Sequence, residues 1–152
     1  MKILVMSDSH GRADRVERLI SEVKPELALH LGDCVADTAG IRERFPELDF
    51  YSVRGNCDPR SAGEVMRIVE AAGLKIFMTH GHEYGVKFCH DKAVNAACVT
   101  GSDVLLFGHT HAPYYREDYG LHIMNPGALC DGRYGIIEIT DGGINCRLEK
   151  TE

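Results

Sequence analysis

Asp8 and His10 stand two positions apart, directly after the apolar run from Ile3 to Met6. A short apolar run that ends in polar residues and Gly11 is typical of a buried strand that delivers its last side chains into a ligand-binding loop. On an extended backbone, side chains two positions apart point to the same side, so this pair could bind one metal ion. A turn aspartate beside a solvated histidine would give the same pattern, and the choice depends on whether similar groups recur.

Similar groups do recur, because five predicted strand ends are followed by side chains that can bind a metal. The seven candidate ligands are Asp8, His10, Asp33, Asn56, His80, His109 and His111. They exceed what one ion needs, whereas two ions that share a bridging carboxylate would use them all and leave positions for water and substrate. Asp33 follows Gly32, which allows a close turn, and is the predicted bridge. Mixed imidazole, carboxylate and amide ligands favour divalent transition ions, Mn first and Ni, Fe, Zn or Co as alternatives, over Mg and Ca.

Alternating strand and helix patterns place these residues at strand ends. Apolar runs predict strands over 3–6, 26–31, 48–53, 74–79 and 102–107. Helical spacing of apolar residues predicts helices over 12–23, 37–45 and 85–100. Asp37 is the predicted N-cap of the second helix. Residues 64–70 are predicted to pair with 74–79 in a hairpin, with a helical turn as the alternative, and the stretches after Pro113 are typical of antiparallel strands.

The composition fits one globular domain over residues 1–152, of which 44% are hydrophobic. The formal net charge of -6 argues against a surface for duplex nucleic acid or an anionic membrane, since either needs clustered Lys and Arg. Without a signal-peptide core or a membrane-spanning run, the expected location is the cytoplasm. The six cysteines form no C-x-x-C pair and are predicted to be reduced thiols, several of them buried. Assembly into a homo-oligomer is left open.

Five motifs, in chain order, carry a family resemblance: Asp8-Ser9-His10, Gly32-Asp33, Gly55-Asn56-Cys57-Asp58, His80-Gly81-His82 and Gly108-His109-Thr110-His111. Together they resemble the calcineurin-like metallophosphoesterases. The Gly-Asn-Cys-Asp variant, the small size and the later Asn125-Pro126-Gly127 are most similar to the small phosphodiesterase subfamily, which also includes a retromer subunit. The resemblance extends from Met1 to the region of Gly127.

This resemblance implies a four-layer αββα sandwich, an α/β fold of two mixed β-sheets flanked by helices, with the site at the strand ends. It implies two ligand sets: Asp8, His10, Asp33 and His111 for one ion, and Asp33, Asn56, His80 and His109 for the other. The implied catalytic residues are Asn56, Asp33 and His80. The implied activity is hydrolysis of a small phosphodiester by a hydroxide that bridges the two ions. A non-catalytic metal-binding scaffold, like the retromer subunit, and a phosphomonoesterase are the alternatives.

The predicted substrate contacts are Asn56, Cys57 and His82. Many relatives have a histidine after the asparagine, and a neutral thiol with a reference pKa of about 8.5 is a poor substitute for an imidazolium. The substitution favours diesters, which carry one negative charge, although Cys57 could instead be a small buried side chain that fills space. His82 could contact a phosphate oxygen or belong to a surface loop. Asn125 is expected to be a plain turn residue rather than a hydrogen-bonding partner of the site, and no function is assigned to His30, His90 and His122.

Overall fold

The computed structural model describes residues 1–151, which form ten strands and three helices. Their bounds are β1 Lys2–Met6, α1 Ala13–Val23, β2 Leu27–His30, α2 Ile41–Arg44, β3 Asp49–Ser52, β4 Met66–Ala71, β5 Leu74–Thr79, α3 Asp91–Val99, β6 Val104–Leu106, β7 Tyr114–Asp118, β8 Leu121–Asn125, β9 Arg133–Thr140 and β10 Gly143–Lys150. Short 3-10 turns occur in several of the connections.

The strands form two five-stranded sheets, with the orders β10-β9-β1-β2-β3 and β4-β5-β6-β8-β7. In the first sheet β1, β2 and β3 run parallel, with Met6 paired to His30 and His30 to Ser52. In the second sheet β5, β6 and β8 are also parallel. The loops that follow parallel neighbours leave the sheet at the same edge, so the predicted ligand loops are brought together.

Three apolar clusters separate four layers. The cluster between the two sheets includes Ile3, Val5, Leu29, Ile76, Met78 and Leu106. One outer cluster packs α1 against the first sheet through Val16, Leu19, Ile20, Leu4 and Met6. The other packs α3 against the second sheet through Ala93, Ala97, Phe77 and Leu105. Successive side chains of a strand point to opposite faces, which is why Ile3 and Leu4 enter different clusters. The predicted αββα sandwich is confirmed.

Two predicted helices are shorter than expected, and glycines explain both. The helix expected over 85–100 begins only at Asp91, because Gly81 and Gly85 adopt positive φ angles of 100° and 64° and leave only a 3-10 turn between them. The helix expected over 37–45 is split at Gly40, whose φ is 80°. Asp37 does not cap it; the Asp37 carboxylate instead accepts a hydrogen bond from the Gly11 N–H at 2.9 Å.

Of two expectations for the second half of the chain, one is confirmed and the other is only partly right. The 64–70 and 74–79 hairpin is confirmed, with Met66 paired to Thr79 and Ala71 to Leu74. The stretches after Pro113 are only partly antiparallel, because β8 pairs antiparallel with β7 but parallel with β6. The long connection through β7 returns the chain to the edge from which β6 started.

None of the six cysteines is fully buried, although Cys146 packs against the cluster between the sheets. All six thiols are free of disulfides, and each is at least partly exposed, so the expectation that several are buried is wrong. Cys34, Cys57 and Cys130 stand in loops or turns that follow strands, while Cys146 lies on the edge strand β10. Among residues 1–151, every helix is too short or too polar to cross a membrane.

Candidate metal centre

Asp8 lies at the centre of the cluster that the strand-end loops form. Its Oδ1 atom is 3.0 Å from Nε2 of His111, 3.7 Å from Nε2 of His10 and 3.9 Å from Nε2 of His80. The two ring nitrogens of His10 and His111 are themselves 3.4 Å apart. Asp8, His10 and His111 therefore form one compact group of possible ligands.

Asp33 and His80 form a second group with Asp8. Oδ2 of Asp33 is 3.4 Å from Nε2 of His80 and 3.8 Å from Nε2 of His10, so this carboxylate lies between the two groups. Around the same His80 nitrogen, Oδ1 of Asn56 is 3.1 Å away and Nδ1 of His109 is 3.2 Å away. The structure thus brings all seven predicted ligands together.

The burial and surroundings of Asp8 Oδ1 indicate whether a metal ion fits this cluster. This atom is fully buried and accepts no hydrogen bond from the described part of the chain, which is costly for a carboxylate oxygen. Bonds of about 2.1 Å place neighbouring ligand atoms about 3.0 to 3.5 Å apart. The 3.0 Å from this oxygen to His111 and the 3.4 Å between His111 and His10 match that spacing. The residues present therefore fit divalent transition ions.

His80 is oriented by a backbone carbonyl. Its Nδ1 lies 2.8 Å from the Leu31 carbonyl oxygen, and an N–H donated there leaves Nε2 to face the carboxylates. Burial alone lowers the pKa of His80, but the hydrogen bond to Asp33 and the charges of Asp8 and Asp33 outweigh burial and raise it. The two carboxylates thus favour positive charge at this position.

The pKa values of His109 and Asp33 are also shifted by their neighbours in the cluster. Burial and then the charge of His80 lower the pKa of His109 to about 4, so this imidazole is neutral at physiological pH. Burial raises the pKa of Asp33, but hydrogen bonds from His80 and from the Cys57 N–H outweigh it and hold the pKa well below its usual range. An ionised carboxylate beside a neutral imidazole is the state in which both can bind a metal.

Five of the seven predicted ligands have a left-handed backbone, with φ angles between 44° and 68°: Asp8, His10, Asp33, His109 and His111. This conformation costs an L-residue about 1 to 2 kcal/mol, and it persists only where the surroundings impose it. The extended arrangement expected for Asp8 and His10 is therefore wrong, although the two side chains do meet. The turns are tighter than a continued strand, and they aim the side chains inward.

Hydrogen bonds to Asp8 and a glycine join the first loop to the last. The Oδ2 atom of Asp8 accepts hydrogen bonds from the Ser7 hydroxyl and from the His109 N–H, the latter at 3.1 Å. A Cβ atom on Gly108 would lie 2.0 Å from the Ser7 Oγ, so only glycine allows the two loops to approach this closely. Asp8 thus has one oxygen fixed by the chain and the other turned toward the imidazoles.

Asn125 is more than the plain turn residue expected from the sequence. It is fully buried, and its Nδ2 donates hydrogen bonds to the Gly108 carbonyl at 3.0 Å and to the Thr110 hydroxyl at 2.9 Å. Its Oδ1 accepts the Gly127 N–H at 2.9 Å. Asn125 therefore fastens the loop that carries His109 and His111 to the end of β8.

Asp58 holds two other loops together, a role that the sequence analysis missed. Its carboxylate accepts hydrogen bonds from the N–H groups of Asp33 at 2.9 Å, Gly55 at 2.8 Å and Val35 at 2.8 Å. It thereby connects the loop that follows β2 to the loop that follows β3. The available signal was an aspartate next to Pro59 at the end of the Gly-Asn-Cys-Asp motif, a position typical of a carboxylate that caps a turn.

His30, to which no function was assigned, links the first two loops. Its Nδ1 accepts the Gly32 N–H at 3.2 Å, and its Nε2 lies 3.1 Å from the Ser9 hydroxyl. Burial lowers the pKa of His30 to about 4, so the ring is neutral, as the accepted hydrogen bond requires. A lone histidine inside the apolar run of β2 was the available signal, because a buried polar ring needs partners.

Cys57 and His82 lie beside the cluster. Cys57 is exposed, so it does not fill a buried space; its N–H donates to Asp33 Oδ1 at 2.9 Å, and its Sγ is 3.6 Å from Nδ2 of Asn56. Burial of part of the thiol and the neighbouring Asp33 raise the pKa of Cys57. The His82 ring lies 5.5 Å from the His80 ring, with its Nδ1 buried and unpaired within residues 1–151.

The chain is similar to known proteins in sequence and in fold. Residues 1–141 match the family model of the calcineurin-like phosphoesterase superfamily domain. The chain is 33% identical to the probable metallophosphoesterase YsnB of Bacillus subtilis, over 85% of this chain and 75% of that one. It is 28% identical to the phosphodiesterase YfcE of Escherichia coli K12, over 85% and 79% of the two chains.

Among solved structures, a predicted phosphoesterase from Streptococcus pneumoniae TIGR4 superposes with a TM-score of 0.81 at 27% identity, covering 98% of this chain and 88% of that chain. The match of the family model extends over all five ligand-bearing loops, which lie between residues 8 and 111. The chain therefore belongs to the calcineurin-like phosphoesterase superfamily.

Proposed function

We propose that this protein hydrolyses a small phosphodiester with two divalent transition-metal ions, Mn²⁺ first among them. The observation that carries the proposal is the buried Asp8 Oδ1, which faces three imidazole nitrogens and accepts no hydrogen bond within the described residues. The proposed ligand sets are Asp8, His10, Asp33 and His111 for one ion, and Asp33, Asn56, His80 and His109 for the other.

The two ions, when bound, supply an activated water and neutralise negative charge on the phosphoryl oxygens. Asp33 is the proposed shared ligand because its Oδ2 lies between His10 and His80. His80 keeps its Nε2 toward the carboxylates through its bond to the Leu31 carbonyl. Asn56 presents its Oδ1 to His80 and its Nδ2 toward Cys57, so the amide is placed to act both as a ligand and as a donor to substrate.

The proposed substrate contacts are Asn56, Cys57 and His82, each of which lies beside or within the cluster. A thiol with a raised pKa stays neutral at physiological pH and offers no positive charge to a phosphate dianion. A diester monoanion needs that charge less than a monoester does, which supports the preference for diesters. The net charge of -6 leaves the metal ions as the main attraction for an anionic substrate. Because free thiols persist in a reducing compartment, we place the activity in the cytoplasm.

The test is hydrolysis of a matched pair of chromogenic esters, bis(4-nitrophenyl) phosphate and 4-nitrophenyl phosphate. The protein is first treated with a chelator and then assayed before and after addition of Mn²⁺. We expect turnover to return with Mn²⁺ and to favour the diester. A mock preparation from cells that do not express the protein, purified in the same way, serves as the blank for contaminating hydrolases.

The other outcomes identify the alternatives. Metal-dependent turnover that favours the monoester would replace the proposal with a phosphomonoesterase. Metal binding without turnover on either ester, with Mn²⁺, Co²⁺, Ni²⁺, Zn²⁺ or Fe²⁺, would favour a metal-binding scaffold whose function is contact with a partner protein.

A further inference from the structure

We propose that His111, Cys130 and Asp131 form a third cation site at the margin of the metal cluster, one that takes a thiophilic divalent cation such as Zn²⁺. A ring nitrogen of His111, the Cys130 sulfur and an Asp131 carboxylate oxygen all lie within 4.8 Å of one another. His111 and Asp131 are exposed and Cys130 is half-buried, so a cation can enter from solvent. Neither Cys130 nor Asp131 belongs to the proposed catalytic ligand sets.

The turn that carries Cys130 is held in place. Residues Leu129–Asp131 form a 3-10 turn whose Leu129 and Cys130 N–H groups donate to the Ser7 and Asp8 carbonyls, at 2.8 and 3.1 Å. On the other side, the Arg15 guanidinium donates to the Leu129 and Cys130 carbonyls. The backbone is therefore fixed against the Asp8 loop, and side-chain rotation alone can bring the three ligand atoms to the spacing of a metal site.

The chemistry of this trio differs from that of the main cluster. Thiolate, imidazole and carboxylate together are a typical ligand set for Zn²⁺, and three protein ligands leave the fourth position to water. The seven ligands of the main cluster contain only nitrogen and oxygen, which Mn²⁺ accepts equally well. As the sulfur–metal bond forms, the Cys130 thiol releases its proton to solvent, while His111 binds through its lone pair and Asp131 as the carboxylate.

His111 couples the third site to the main cluster. A neutral imidazole has one ring nitrogen with a free lone pair, so His111 can bind one cation at a time. A cation held by Cys130 and Asp131 must therefore take His111 from Asp8 and His10. This consequence, inhibition by Zn²⁺, rests on the proposed function; the binding of the cation does not.

The binding test uses Co²⁺ as a spectroscopic probe, because a thiolate bound to Co²⁺ gives a charge-transfer absorption band in the near ultraviolet. We expect the chelator-treated protein to show this band on addition of Co²⁺ and Cys130→Ser to lose it. Cys34→Ser and Cys57→Ser are the matched controls, since both thiols also lie beside the cluster, and both variants should keep the band. Asp131→Asn leaves the thiol in place, and we expect a higher Co²⁺ concentration to be needed to produce the band.

A wild-type protein that binds Co²⁺ without the band, or a band that survives in Cys130→Ser, would overturn the site. Circular dichroism of each variant verifies the fold, and Asp131→Asn decides the question if Cys130→Ser is unfolded. The second test adds Zn²⁺ to the Mn²⁺-loaded protein during diester hydrolysis, where Cys130→Ser should resist inhibition and keep its basal rate. If the protein hydrolyses neither ester, the proposed function fails while the Co²⁺ band still decides the third site.

Discussion

The two sheets contribute different chemistry to one site. Loops of the first sheet carry all the proposed oxygen ligands, on Asp8, Asp33 and Asn56, together with His10. Loops of the second sheet carry imidazoles alone: His80, His109 and His111. Both carboxylates of the cluster thus lie on loops of the first sheet, and three of its four imidazoles lie on loops of the second.

The two halves are also fixed differently. The carboxylates of the first sheet are held by backbone N–H groups, as when Asp33 accepts from Cys57 and Asp8 accepts from His109. In the second sheet, the His80 ring is held by the Leu31 carbonyl, and Asn125 holds the loop that carries His109 and His111. Since neither sheet alone brings the ligands together, the apolar layer between the sheets is what assembles the site. Removing a carboxylate should therefore reduce activity most. Removing one imidazole should reduce it less, and removing a side chain that supports a loop should reduce it least.

Removing a carboxylate should have the largest effect. In Asp33→Asn, the amide oxygen can still accept the Cys57 N–H, so the fold should survive while the negative charge between His10 and His80 is lost. We expect diester turnover to fall by at least about 1000-fold, as when a central catalytic group is removed. Both metals should bind weakly, which elemental analysis after dialysis would measure.

The control for this change is Asp49→Asn, which removes an exposed carboxylate at the start of β3. It should keep full activity and two bound metals. Full activity in Asp33→Asn would contradict the shared carboxylate and would leave Asp8, which belongs to both close ligand groups, as the bridge.

Removing one imidazole from the second sheet should have a smaller effect. His109→Asn takes away a neutral nitrogen ligand, while the His109 N–H that bonds Asp8 is part of the backbone and is retained. We expect turnover to fall by about 100-fold or somewhat more, since loss of a group that only hydrogen-bonds a metal ligand already costs about 10- to 100-fold. Metal content should fall from two ions to one, since His109 belongs to one ligand set only.

His90→Asn is the comparison for His109→Asn, because His90 lies between the Phe107 and Tyr114 rings and outside the cluster. It should retain both metals. Loss of both metals in His109→Asn would mean that the two ligand sets do not fill independently, and the contrast between the charged and the neutral half would fail.

Removing a loop support should have a smaller effect still. Asn125→Ala removes one of the two donors to the Gly108 carbonyl and to the Thr110 hydroxyl, and it leaves the buried Gly127 N–H without its acceptor. We expect a loss of about 1 to 3 kcal/mol in the free energy of unfolding and about 10-fold weaker metal binding. Urea unfolding and a metal titration followed by activity measure the two effects. Unchanged metal affinity would show that Asn125 acts on stability alone.

The sequence predicted that the seven candidate ligands would meet at one place, because apolar runs that end in Asp, Asn or His identify strand ends and parallel strands share an edge. It did not predict the backbone at Asp8 or Asp33, since a left-handed φ outside glycine is imposed by contacts between loops rather than by local preference. The same limit hid Asp58 and Asn125, whose partners are N–H and carbonyl groups of other loops. Periodicity also overestimated α3, because it registers apolar spacing across Gly85 and does not detect the turn.

The smallest change concerns selectivity rather than rate, and it involves Cys57, at the border of the charged half. Cys57→His would place an imidazole next to Asn56, where the exposed thiol now offers neither a positive charge nor a ready proton. An imidazolium stabilises a phosphate dianion more than a diester monoanion, so the ratio of monoester to diester turnover should rise, by roughly 10-fold if the ring gains about 1.4 kcal/mol of preferential contact. Cys57→Ser is the matched control, since a hydroxyl is also neutral and should leave the ratio near that of the wild type. An unchanged ratio in Cys57→His, with both metals still bound, would mean that another residue sets the preference for diesters. His82 would then be the next residue to change, because it already lies beside His80 and His109.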